Sequence, residues 1–325
     1  MNILITGVAG FIGYHVARRL LKDGHQITGF DSLSDYYDVE LKKARLVQLK
    51  QDFGFESQLI NIADEPAVRR VFAEANADIV IHLAAQAGVR YSLTHPEAYA
   101  SSNLMGFTYI LEACRRLPPK HLLYASSSSV YGANTSLPFR ESDHVDQPVS
   151  FYAATKRANE GMAHSYSHLF KIPATGLRFF TVFGEWGRPD MAFFSFSEAI
   201  LAGRPITLFN QGKMARDFTY VGDVAEAIEK LMHKPPKEAG QAPHRVVNIA
   251  SGRRVTLADF VSALEQAFGR EAIKTFADMQ AGDVVETWGD IALLKEITGF
   301  APATSIDDGV KRFARWFEAY RLTRQ

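Results

Sequence analysis

The stretch NILITGVAGFIG, residues 2–13, carries the fold. NILIT is apolar and rich in strand formers, so it reads as a buried strand. Gly7, Gly10 and Gly13 follow as G-x-x-G-x-x-G. From residue 11 to about 23 the apolar spacing becomes helical, with Ile12, Val16, Leu20 and Leu21 on one face. A glycine turn between a strand and a helix has a chemical use. The first glycine permits the tight turn, the second lets the backbone approach a pyrophosphate, and the third lets the helix pack on the sheet. The phosphate then meets the helix N-terminus. The next strand, QITGFD, ends in Asp31. A carboxylate there accepts hydrogen bonds from the adenosine ribose and repels a 2′-phosphate, so the pattern predicts NAD rather than NADP.

Further strands follow at QLINI (58–62), ADIVIHLAA (77–85), HLLYASS (121–127) and PATGLRFFTVFG (173–184). Helical spacing fills residues 65–75 and 101–116. This alternation predicts an α/β, Rossmann-like, doubly wound parallel sheet covered by helices on both faces. From about residue 185 the pattern changes. Helix 192–203, strand PITLF, helix 222–233, a Pro/Gly loop at 235–243, strand RVVNIA and helix 256–268 read as a smaller, mixed α/β C-terminal substrate lobe. The expected division is 1–180 for the dinucleotide domain and 181–325 for the substrate lobe, with some later segments returning to the first.

Bulk properties narrow the function. Lys plus Arg and Asp plus Glu are 36 each, a balance that points away from nucleic acid and anionic membranes. One cysteine, Cys114, excludes an intramolecular disulfide and fits a reducing, cytoplasmic setting. The N-terminal stretch does not read as a signal peptide, and no apolar run has the length of a spanning helix. The histidines form no metal-binding pattern, and His82 reads as a hydrogen-bonded core residue. Lys42, Lys43 and Arg45 read as a solvated helix face, with a contact to the adenosine phosphates as the alternative.

Two further motifs carry chemistry. In YASSSSVYG, residues 124–132, a strand ends in successive hydroxyls. In FYAATKRANE, Tyr152 and Lys156 stand at i and i+4 on one helix face. A phenol titrates near 10 (roughly) in water. A nearby ammonium and the positive ring of a bound nicotinamide favour its phenolate.

Together these motifs resemble the extended short-chain dehydrogenase/reductase superfamily. The resembling residues are TGVAGFIG, Asp31, HLAAQ (82–86), YASSSSVYG, Tyr152-x-x-x-Lys156 and RDFTYVGD (216–223), and they span nearly the whole chain. Within it the chain is similar to the nucleotide-sugar 4-epimerases, which are isomerases, and among those to the UDP-glucuronate 4-epimerase group. That likeness lies in SLSDYYDVELKKARL (32–46), AAQAGVRYS (84–92), RFFTVFGEWGRPDMA (178–192) and FNQGKMARDFTYV (209–221).

The resemblance implies NAD held permanently, a UDP-sugar substrate, and a homodimer through a four-helix bundle of helices near 101–116 and 152–170. It assigns Tyr152 as base and acid, Lys156 to the nicotinamide ribose, and Ser127 to the reacting hydroxyl. It puts Phe11, Ile12 and Ser32 at the cofactor with the glycines and Asp31. Asn61 and Ile62 face the adenine, and Leu83, Ala84, Ala85 and Gln86 line the cofactor. Asn103, Ala125 and Phe179 complete that side. Asn61 stands where many relatives have Asp, which keeps an acceptor. On the substrate side it places Gly88, Arg90, Ala192, Phe193 and Phe209, with Arg216 on the diphosphate and Gln280 and Asp283 near the nucleotide. An ion pair of Arg216 with Asp217 is the alternative for that arginine.

The implied reaction oxidises the sugar at C4, turns the 4-keto intermediate and returns the hydride to the other face. On a uronate, that intermediate is a β-keto acid, which loses carbon dioxide when its carboxylate bond lines up with the ketone. Holding the carboxylate still is a problem of orientation. Ser128, Ser129 and Thr181 offer hydroxyls for it, and Arg188 offers a charge or else lies solvated on its loop. Two departures from the family stand in this loop: Phe183 for a common tyrosine and Glu185 for a common proline. Glu185 is expected to face solvent. Related dehydratases carry an Asp-Glu pair where Ser128 and Ser129 stand, so dehydration lacks its machinery. A UDP-glucose/UDP-galactose 4-epimerase and a non-catalytic NAD-binding redox sensor remain as alternatives.

Overall fold

Strand and helix alternate through the first part of the chain. In this computed structural model, which describes residues 1–279 and 284–322, the elements are β1 (Asn2–Thr6), α1 (Phe11–Lys22), β2 (Gln26–Asp31), α2 (Val39–Phe53), β3 (Gln58–Leu59) and α3 (Glu65–Ala75). Next come β4 (Ile79–His82), α4 (Pro96–Tyr99), α5 (Phe107–Arg116), β5 (His121–Ser127), α6 (Phe151–Phe170) and β6 (Ala174–Phe179). A π-helical stretch, Ala100–Gly106, joins α4 to α5.

Period-2 patterning explains the sheet. In β1, Ile3 and Ile5 enter the core on one face while Leu4 enters the core on the other. Ile79 and Ile81 of β4 split from Val80 in the same way. Strands buried on both faces belong in a parallel sheet between helix layers. The rest of the chain supplies β7 (Thr181–Phe183), α7 (Ala192–Leu201), β8 (Ile206–Leu208), β9 (Ala215–Arg216), β10 (Phe218–Tyr220) and α8 (Val221–Met232). It ends with β11 (His244–Ile249), β12 (Val255–Thr256), α9 (Leu257–Phe268), β13 (Lys274–Phe276), α10 (Ala292–Thr298) and α11 (Ile306–Leu322).

The large sheet has seven strands in the order β11-β6-β5-β4-β1-β2-β3. Its pairings are all parallel. The order reverses between β1 and β4, which opens a crevice at the carboxyl ends of those strands. The fold is therefore the Rossmann-like α/β architecture. Past residue 180, three two-stranded pairs, β10 with β7, β12 with β9 and β13 with β8, stand with α7, α9 and α11. Among the described residues no helix is long and apolar enough to cross a membrane.

Candidate active site

The glycine turn is built as its spacing requires. Gly7 has φ +75°, and a Cβ there would meet the Ala84 backbone N at 2.7 Å. A Cβ on Gly13 would lie 2.0 Å from Gly7 O, so α1 sits against the turn as only glycine permits. No side chain caps α1, and its first turn holds no acid. Its N–H groups and helix dipole are therefore left for an anion. At the end of β2 the Asp31 carboxylate accepts from Ala9 N at 3.1 Å and Leu33 N at 2.8 Å. Two backbone donors fix its direction, and its remaining lone pairs suit ribose hydroxyls. These features fit a dinucleotide.

One cleft of about 320 Å³ runs from this turn across the switch point, a size suited to a ligand site. Its near end is lined by Gly7, Gly10, Phe11, Ile12, Gly13, Asp31 and Ser32. Asn61 and Ile62 close one side, and Leu83, Ala84, Ala85 and Gln86 follow β4. Ala125, Ser127, Tyr152, Lys156, Phe179 and Arg188 line the far end.

Asn103 lies behind the wall rather than in it. From the π-helical stretch its side chain accepts from Gln86 N at 2.8 Å and donates to Gln86 O at 3.0 Å and Thr155 Oγ1 at 3.1 Å. It ties the loop after β4 to α6. His82 is a core residue that pairs with Thr6 Oγ1 at 2.8 Å and stacks on Phe107. Burial pulls its pKa down to about 3, so the ring is neutral.

Ser150 caps α6 by accepting from Ala153 N at 3.1 Å. This sets the phase of the helix, so Tyr152 and Lys156 share the face toward β5. Lys156 Nζ, 3 % exposed, donates to Ala125 O at 3.0 Å. Burial lowers the Lys156 pKa to about 8. Burial also raises the Tyr152 phenol, while the Ser127 hydroxyl bonded to it and the Arg188 charge pull the other way. Ser127 Oγ accepts from Ser129 N and donates to Ser129 Oγ, both at 3.1 Å. Ser127 of β5 thus bonds the Tyr152 phenol, and Lys156 lines the same end of the cleft from the same helix face, an arrangement suited to moving a hydroxyl proton beside a redox cofactor.

Residues 3–250 match the model of the NAD dependent epimerase/dehydratase family. The chain belongs to this family. A protein of Rhizobium meliloti named "Probable UDP-glucuronate 4-epimerase" is 48% identical over 98% of this chain and 97% of its own length. The crystal structure of a Bacillus cereus UDP-glucuronic acid 4-epimerase in complex with UDP-glucuronic acid and NAD is similar at 31% identity and TM-score 0.90, covering 98% of this chain and 100% of that one. A Thermotoga maritima UDP-glucose 4-epimerase structure with UDP-glucose is similar at 29% identity and TM-score 0.89, covering 100% of both.

The expected substrate residues are spread more widely than the cofactor set. Arg188 is not solvated on its loop. It donates from Nε to Asp190 Oδ1 at 3.0 Å and from Nη2 to Asp190 Oδ2 at 2.5 Å, and lies over the Tyr36 ring. Arg90 and Phe209 come together, with the guanidinium 5.4 Å from the ring centre. Gly88, at φ +101°, backs onto Tyr36 Oη. Ser128, Ser129 and Thr181 are half-buried and stand outside the cleft lining. Ala192 is exposed at the start of α7. Phe193 has its ring in the core against Phe11 and Phe313. Arg216 donates to Val285 O at 3.1 Å. Asp217 turns inward, 0 % exposed, and accepts from Ser251 N, Gly252 N and Thr219 Oγ1. Gln280 and Asp283 lie outside the described residues.

Three expectations need correction. Lys42 and Arg45 are 4 % and 0 % exposed, not on a solvated face. They share the inner side of α2 with Leu41 and Leu49, and their charges end on oxygen atoms rather than water. Lys42 donates to Ser34 Oγ at 3.0 Å and lines the cleft with Tyr36 and Tyr37. Glu185 is half-buried and accepts from Tyr220 Oη at 3.0 and 2.9 Å, away from the cleft, instead of facing solvent.

Proposed function

We propose that this protein is a UDP-glucuronate 4-epimerase, an isomerase that interconverts UDP-glucuronate and UDP-galacturonate. The observation that carries the reading is the Arg188 guanidinium in the same cleft as Ser127, Tyr152 and Lys156. It puts a cation beside a proton-transfer site, where a uronate and not a neutral hexose gains from it. The Rhizobium meliloti and Bacillus cereus relatives support the same reading.

Bound NAD supplies a reversible hydride acceptor at the sugar C4. Tyr152 takes the 4-hydroxyl proton and later returns it. Ser127 holds that oxygen in line with the phenol. Lys156 keeps a positive charge beneath the site and anchors the end of β5. Arg188, with the hydroxyls of Ser128, Ser129 and Thr181, holds the carboxylate out of the alignment that releases carbon dioxide. Arg216, Phe209 and Arg90 grip the UDP end, which must stay fixed while the sugar turns. Gly88, Ala192, Gln280 and Asp283 complete that proposed side, with Phe193 offering only its backbone because its ring packs in the core. We also propose a homodimer through the helices of residues 101–116 and 152–170, a cytoplasmic location, and the division at 180/181.

The test is NMR of products from UDP-glucuronate and, separately, UDP-glucose. UDP-galacturonate is expected, with Tyr152→Phe slowing turnover by about 10²–10⁴. Turnover of UDP-glucose alone replaces the reading with a UDP-glucose 4-epimerase. No turnover of either sugar, with NAD bound, leaves the redox-sensor reading.

A further inference from the structure

The loop that carries Arg188 has a backbone that needs support. Trp186 sits at φ +58°, a left-handed conformation disfavoured for a bulky residue. Gly184, two residues before it, has φ +143°. Three successive carbonyls in this loop are each taken by a side chain from the glycine-turn half of the molecule. His15 on α1 hydrogen-bonds Glu185 O through Nε2 at 2.8 Å. Arg45 on α2 donates to Trp186 O at 3.1 and 2.6 Å and to Gly187 O at 3.3 Å. The same guanidinium donates to Ala9 O, inside the glycine turn, at 2.7 Å and to Tyr37 Oη at 2.8 Å.

The chemistry of these contacts is directional. Burial pulls His15 down to about 3, so its ring is neutral, and the carbonyl partner requires the proton on Nε2. Arg45 is 0 % exposed, and its planar fork reaches carbonyls in two segments that are far apart in sequence. Arg188 follows Gly187 directly. Neither His15 nor Arg45 lines the cleft.

We infer that His15 and Arg45 are positioning residues that pin the 185–187 backbone to the glycine-turn half and so preset Arg188 opposite Tyr152 for the sugar carboxylate. The inference rests on the reading of Arg188 as the carboxylate contact. Selectivity for a uronate is then set partly from beneath the cofactor turn, by side chains that do not touch the substrate. Asp190 pairs with Arg188 and also accepts from Tyr36 Oη, whose ring lies under the guanidinium.

The experiment uses the NAD-loaded full chain, with kinetics on UDP-glucuronate and calorimetric binding of UDP-glucose. His15→Phe removes the donor. Its KM for UDP-glucuronate is expected to rise about 10-fold while kcat stays within about 3-fold, because a preset ground-state contact is lost. UDP-glucose affinity is expected to stay unchanged. His15→Gln, which keeps an N–H of similar reach, recovers most of the loss. Arg45→Lys keeps the charge without the fork and gives the same selective loss; should it fail to fold, the His15 pair decides alone. In an Arg188→Met background His15→Phe adds nothing further to the change in KM. Equal losses on both sugars, or full additivity with Arg188→Met, overturn the inference. Failure of the unaltered protein to turn over UDP-glucuronate is a different result, and it overturns the functional reading instead.

Discussion

Lys156 shows what the catalytic site costs the fold. Its ammonium is 3 % exposed and donates to Ala125 O. Burial brings its pKa from 10.5 to about 8. Between those values the unfolded chain holds the proton more tightly, so stability rises with pH through that window. Below pH 8 both states are protonated and the native state carries the full penalty of the buried charge, about 3 kcal/mol. Lys156→Met is therefore expected to stabilise the NAD-free protein at pH 7 by up to ~3 kcal/mol, with the gap closing toward pH 10.5. Turnover falls in the same variant. Urea unfolding at pH 7 and pH 10 reads both parts, and a variant less stable than the parent at pH 7 sinks the argument. The Tyr-x-x-x-Lys spacing was legible in the sequence because a helix fixes which residues share a face. Arg45 and Lys42 were not, since a charged side chain on an amphipathic helix reads as solvated. Their partners are carbonyls and hydroxyls brought in by other segments, and no local pattern encodes those.

At the scale of elements, α6 continues its chemistry one turn beyond Lys156. Glu160, 3 % exposed, accepts from Ser126 Oγ at 2.6 Å and from Arg178 of β6 at 2.9 Å through both carboxylate oxygens. Arg178 is 2 % exposed and lies over the Tyr131 ring. The pair locks α6 to β5 and β6 directly behind Ser127. Removing Arg178 leaves the buried Glu160 with only the Ser126 hydroxyl and the more distant Arg157 guanidinium, 3.8 Å away, whereas replacing both partners by apolar groups removes the need for either. Arg178→Met is expected to cost about 3–5 kcal/mol, and the double variant Glu160→Met with Arg178→Met less than that. Chemical denaturation of the three proteins checks the order; a double variant less stable than Arg178→Met alone would sink it. The strands of the sheet were readable from their apolar runs, and their parallel pairing from the strand–helix alternation. The short strands β9, β12 and β13 were not, because two or three residues carry no period. The π-helical turn at Asn103 was equally silent, since its extra residue per turn follows from contacts with Gln86 and Thr155 rather than from composition.

At the scale of the molecule, the two faces of the large sheet are finished differently. One face carries the core that continues from Ile3 and Ile5 through Phe193 to Phe313 and Phe317, so the C-terminal helices cover it. The other core, around Leu4, Val71, Phe107 and Ala163, ends at α3, α5 and α6. Outside that layer, Met105 is 49 % exposed, Phe151 39 % and Leu169 63 %. Along α6 the outward residues Phe151, Ala158, Gly161, Ser165 and Leu169 recur at helical spacing, and a Cβ on Gly161 would meet nothing within 4 Å. Small residues between apolar ends let a second helix approach closely. A self-complementary face of this kind suits a two-fold bundle of paired helices. The proposed homodimer uses it. Gly161→Arg with Met105→Glu is expected to convert a dimer to a monomer in sedimentation velocity, because a bulky cation and a carboxylate would be buried without partners. Neither residue packs in the described core, so the variant should keep its circular dichroism spectrum and its NAD. A parent chain that sediments as a monomer refutes the proposal outright, and a variant that remains dimeric places the contact on another face.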